Sequence, residues 1–144
     1  MIRIFGAYLL SLIAGYALAS VIATQSVVAR LQEMGVDVAF MDRLDMTLKD
    51  LQGLAGSLLP MLAFGYLIAF LTAALLSHRK PSWRTPLFAL AGAAALVSIH
   101  LMLNMAFGVT PIAVARTSGG LLAQAAAGAV GAWLFAYLTW PAAR

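Results

Sequence analysis

Few side chains in this sequence can do chemistry, and the ones that can sit within or beside long apolar stretches. His100 and Asn104 stand four residues apart, which places both on one face of a helix. Arg116, Gly120 and Gln124 repeat that spacing further along, and Gln25 lies at the far end of the first apolar stretch. A histidine can donate or accept a hydrogen bond, and asparagine and glutamine carry neutral donors and acceptors. Arginine keeps its charge in any protein environment. Such a set suits recognition of a polar or negatively charged group. Polar side chains inside an apolar helix are costly unless they face a bundle interior or a cavity. His100, Asn104, Arg116 and Gln124, joined by Gln25, are therefore the candidate ligand-binding residues.

Other chemistries fit poorly. Cysteine is absent, which excludes disulfides, thiol catalysis and iron–sulfur clusters. His100, Met102 and Met105 do not share a helix face, so a thioether–imidazole copper site is not expected. His78 and His100 fall toward opposite ends of their helices, which disfavours a haem held by both. No metal or cofactor is expected. No catalytic triad, carboxylate pair or phosphate loop occurs, and His100 has no neighbouring carboxylate in sequence to orient it as an acid or base. The expectation leans away from an enzyme. The leading reading is a membrane protein that binds an amphiphilic ligand or a membrane partner through a polar pocket. A transporter or channel subunit is the first alternative, and a membrane enzyme using His100 for proton transfer is the second.

The elements that must position these residues follow from composition. Of 144 residues, 63% are hydrophobic and 10% charged, against about 25% charged in an ordinary soluble domain. Apolar stretches at 4–28, 53–76, 86–107 and 119–140 contain no Asp, Glu, Lys or Arg. Each approaches or exceeds the roughly 20 residues that a spanning helix needs. The expected fold is all-α: one polytopic domain over 1–144 with four transmembrane helices. The first stretch, opened by Arg3 and containing Ala17-Leu18-Ala19, has the outline of a signal peptide. It continues through Val27 and Val28, too far for a signal's apolar core. The net charge of +4 forms no stripe interleaved with aromatics, so nucleic acid is not an expected partner.

Basic residues orient the chain. Arg3, the inner loop 77–85 with Arg79, Lys80 and Arg84, and Arg144 together hold five basic residues and no acid. Both ends are thus expected on the cytoplasmic side of what is read as a bacterial inner membrane. Trp83 and Trp140 then fall at the inner interface. All five acids lie between Glu33 and Asp50, in the outer loop 29–52. There the first helix is expected to run to Met34 and stop at Gly35. Thr47 and Asp50 resemble a capping box. Val38, Met41, Leu44, Leu48 and Leu51 recur at helical spacing and predict a short amphipathic helix over 38–51 that caps the bundle or lies on the membrane.

Within the spans, Pro60 is expected to kink the second helix. Small residues at Ser11, Gly15 and Ala19, at Ala89 and Ala93, and at Gly120, Gly128 and Ala132 are expected to let helices pack closely. That packing is read as internal to one chain, with a homo-oligomer or a partner membrane protein as the other use. The start of the last helix has two readings. Thr110-Pro111 is a good cap followed by proline at the first helical position. A start there aligns Arg116, Gly120 and Gln124, and glycine opposite His100 leaves room for the imidazole. A start near Ser118 instead leaves Arg116 beside free N–H groups at a helix N-terminus. Both place a negative group near Arg116: an acid of 33–50, a lipid headgroup or an anionic ligand.

Overall fold

The long apolar runs form helices that end where the sequence supplies a stop. In a computed structural model of the chain, residues 2–108 and 112–140 are described, and their regular structure is helical throughout. Helix α1 covers Ile2–Glu33. It ends in a Schellman motif: Gly35 takes φ +81°, its N–H donates to Gln32 O at 2.9 Å, and the Val36 N–H donates to Leu31 O at 2.9 Å. Glycine alone adopts this backbone without strain. The expected stop at Gly35 is the observed one.

Helix α2, Phe40–Ala55, starts well before Thr47, so the expected capping box does not form. In mid-helix the Thr47 hydroxyl donates back to Arg43 O at 2.7 Å, the usual recourse of an interior threonine. Asp50 turns to α1, where it accepts a hydrogen bond from Thr24 Oγ1 at 2.7 Å. Leu51 and Leu54 pack on the core, whereas Met41, Leu44 and Leu48 stay exposed.

Pro60 does not kink a helix. The chain breaks at Gly56-Ser57, and α3 (Leu58–Ser77) begins beyond it. Pro60 is the third residue of α3, within the first turn, where a missing N–H deprives no helical hydrogen bond. A 3-10 turn, Pro81–Trp83, leads into α4 (Arg84–Phe107), which stops at Gly108 with φ +67°. The last helix, α5, covers Ser118–Leu138, the later of the two expected starts. Thr117 caps it by accepting from the Gly120 N–H at 3.1 Å. Residues Ala113–Arg116 form a separate 3-10 turn. The Thr110-Pro111 cap lies outside the described residues. Helices α1, α3, α4 (with its preceding 3-10 turn) and α5 are long and apolar enough to cross a membrane.

Close backbone contacts organise the packing. A Cβ built on Gly92 would collide with the Gly128 carbonyl oxygen, and one on Gly128 with the Gly92 carbonyl oxygen, so α4 and α5 cross backbone to backbone. Tyr66 of α3 reaches between Gly15 of α1 and Gly131 of α5, and its hydroxyl donates to Gly128 O at 2.8 Å. The stripes Ser11/Gly15/Ala19 and Gly128/Ala132 are buried as expected. Ala89 and Ala93 are only half-buried, because the α4 contact runs through Gly92. Beside Tyr8, Phe70 stacks on Tyr66 (4.8 Å between centroids) and Phe135 (4.5 Å).

Candidate functional site

The five sequence-derived residues divide into a buried pair and three exposed ones. His100 on α4 and Gln124 on α5 are 2% and 1% exposed. They face each other across the α4–α5 contact. Asn104, one turn beyond His100, lies at the open end of α4 and is exposed. Gln25 is exposed on α1 because the buried face of that helix runs through Ser20, Ala23, Thr24 and Val28. Arg116 is exposed on the 3-10 turn, so it does not align with Gly120 and Gln124 on one helix face. Nor does Gly120 make room for the imidazole. A Cβ there would strike the Val114 carbonyl oxygen and approach the Thr117 hydroxyl, so this glycine lets the 3-10 turn fold onto α5.

The buried pair is rich in unspent hydrogen-bonding capacity. Gln124 Nε2 donates to Ala19 O on α1 at 2.9 Å, which fixes Oε1 as the outward acceptor of the amide. The imidazole and this amide lie side by side. Among the described residues the two His100 nitrogens, Gln124 Oε1 and the hydroxyl of the fully buried Ser20 meet no partner at full hydrogen-bonding geometry, although the Gln124 amide stands close enough to the imidazole to interact with it. From Ser20 the polar line continues outward. Thr24 Oγ1 lies 3.1 Å from Ser20 O and 2.7 Å from Asp50 Oδ2, so its single proton serves one of them at a time. Tyr16 donates to Leu51 O and ties α2 down at the same place. Ser20 and Thr24 share the depth of Gln25 in the sequence. Their membership depended on helix rotation, and the small-residue stripe Ser11/Gly15/Ala19 already indicated it.

A second feature escaped the sequence reading. Along their outer face α3 and α4 leave an apolar groove of about 760 Å³, walled by Met61, Phe64, Ile68, Met102 and Phe107. Its floor consists of small residues, among them Gly65, Ala69 and Ala95, and Ser98 and Thr72 supply its hydroxyls. Met61, Leu103 and Phe107 also line an adjoining cavity of about 500 Å³ bordered by Ser57 and Ile112, so the two run together toward the α2–α3 break. Ile112 leads directly into the turn that carries Arg116. The available signal was a mixture of large and very small apolar residues on facing helices, where packing fails to close.

Among the described residues no group of three His, Cys, Asp or Glu side chains is placed to hold a metal ion. No family model matches the chain, and neither a curated protein nor a solved structure does. The chemistry must therefore be read from the geometry.

Proposed function

We propose that this chain is a multi-pass protein of a bacterial inner membrane, with both ends cytoplasmic, and that it binds an amphiphilic molecule in the groove between α3 and α4. The observation that carries the binding reading is that groove. It follows α4 from Ala91 to Phe107, about 24 Å at 1.5 Å per residue, most of the thickness of a bilayer's hydrocarbon core. An extended hydrocarbon chain fits such a channel. The polar end of the molecule then lies at the Ser57/Ile112 mouth; in the chain Ile112 stands four residues before Arg116, whose fixed charge favours a negative or carbonyl-bearing head. The absence of acids from the inner segments supports the orientation. Exposed Phe40, Met41, Leu44 and Leu48 suit α2 to the outer membrane surface.

The test is photolabelling of the full chain in nanodiscs with a fatty-acyl diazirine probe, read by peptide mapping. Labels should concentrate on α3 and α4 residues of the groove. Ser98→Trp, which fills the groove from an exposed position, should lower that labelling severalfold. Arg116→Gln should weaken the preference for a carboxylate over a neutral head. Labels spread evenly over every lipid-facing helix, or indifferent to Ser98→Trp, would sink the proposal.

A further inference from the structure

The opposite end of the bundle carries a second pocket that the groove reading does not use. A depression of about 600 Å³ is lined by Arg3, Thr85, Trp133, Tyr137, Leu138 and Trp140. Its cation is held in place. Arg3 Nε donates to Leu138 O and Nη2 to Trp140 O, both at 3.0 Å, which fixes the guanidinium against the last turn of α5. Two of its five N–H groups are thereby used, and the fork is already ordered for a further acceptor.

Donors are in surplus at this end. On the same turn, Arg84 Nη2 donates to Thr139 Oγ1 at 2.5 Å, and the buried Arg84 Nε–H meets no acceptor among the described residues. Thr85 adds a hydroxyl. All five acidic side chains lie between residues 33 and 50, by the other end, so no Asp or Glu side chain offsets these cations. The aromatic wall is preformed, with Trp133 and Tyr137 stacked at 5.7 Å and 19°. Indole and phenol rings sit well at the level of lipid headgroups, with apolar faces for the acyl–glycerol region.

We infer that this pocket binds the phosphodiester headgroup of an anionic phospholipid in the inner leaflet. Arg3 and Thr85 hold the phosphate, and Trp133 packs on the glycerol and the first acyl carbons. A zwitterionic lipid brings an ammonium group that would find no Asp or Glu side chain here, which is why an anionic headgroup is favoured. The inference rests on the membrane reading above but not on the α3–α4 groove.

Quenching of tryptophan fluorescence by brominated phosphatidylglycerol and brominated phosphatidylcholine tests it, using the full chain in nanodiscs at equal mole fraction. A Trp83→Phe/Trp140→Phe background leaves Trp133 as the reporter. The anionic lipid should be preferred by about fivefold, the ratio expected for one basic residue at an anionic headgroup. Arg3→Gln should bring the ratio close to one, and Thr85→Val, which keeps the Arg3 anchor on α5, should lower it. Arg79→Gln, outside the pocket, should leave it nearly unchanged. Equal quenching by the two lipids, an equal loss with Arg79→Gln, or removal of the preference by millimolar inorganic phosphate would each overturn the inference. Groove labelling measured on the same Arg3→Gln protein should persist, and this separates failure of the headgroup site from failure of the groove.

Discussion

His100→Leu should make the protein more stable. The imidazole is 2% exposed, and among the described residues neither nitrogen meets a partner at full hydrogen-bonding geometry, the Gln124 amide being the ring's one polar neighbour of note. A buried polar group left unsatisfied costs about 1–3 kcal/mol, whereas an apolar side chain of similar shape at the same place is close to neutral. Leucine resembles histidine in size, so it removes the penalty without opening a large cavity. The expected gain is about 1–3 kcal/mol, counting the imidazole as one group. Gln124→Leu should gain less. It removes the unpartnered Oε1 but also the bond from Nε2 to Ala19 O, worth about 0.6 kcal/mol on average for a membrane protein. Reversible unfolding in mixed micelles, with denaturing detergent as the perturbant and tryptophan emission as the probe, resolves differences of this size. A loss of stability beyond about 1 kcal/mol in His100→Leu would refute the reasoning. It would mean that the nitrogens are partnered after all, by the Gln124 amide, ordered water or a ligand.

Gly128→Ala should lower the thermal midpoint markedly, because its Cβ meets the Gly92 carbonyl oxygen, and overpacking of this kind costs about 1–3 kcal/mol. Gly6→Ala, whose Cβ would meet nothing within 4 Å, should leave the same midpoint almost unmoved. Tyr66→Phe removes the hydroxyl that donates to Gly128 O and should cost about 0.6 kcal/mol, at most about 1.7, in the same unfolding assay. Reporters fused after Arg144 and inserted near Gly35 should report cytoplasmic and external positions respectively, and reversal of both would invert the orientation. Amide exchange should be slowed across Phe40–Ala55, most of all near Leu51 and Leu54, where α2 packs on the core.

The four long helices were legible because charge is missing from each apolar run, and helix ends were legible where glycine left one conformation open, as at Gly35. Cap chemistry misled where longer-range packing prevailed. Thr47-x-x-Asp50 has the right letters for a helix start, but Asp50 gains a partner in Thr24 only if α2 has already formed and lies on α1. Pro60 read as a kink because nothing local marks Gly56-Ser57 as a full break. In the candidate site, counting residues from the Gly108 turn sets Gly120 opposite His100 and Gln124 about one turn deeper, whereas the structure puts Gln124 beside the imidazole. That counting cannot fix the rotation of α1 or the length of the turn before α5, and those two quantities put Gln25 and Arg116 on the surface. The groove was illegible for a related reason. A Gly65 or Ala95 reads the same whether the facing helix closes on it or stands off.

The Tyr66 slot bears on how the protein is made. Its walls are Gly15 from the first helix and Gly131 from the last, so it is finished only when the C-terminal helix arrives. While α1, α3 and α4 are made and α5 is not, the Tyr66 phenol lacks its Gly128 O acceptor. A nascent chain at that stage carries an unpaired phenol hydroxyl at an open slot, a feature by which quality-control factors can distinguish an unfinished product. Docking of α5 closes the slot, gives the hydroxyl its acceptor and commits the bundle to its final form.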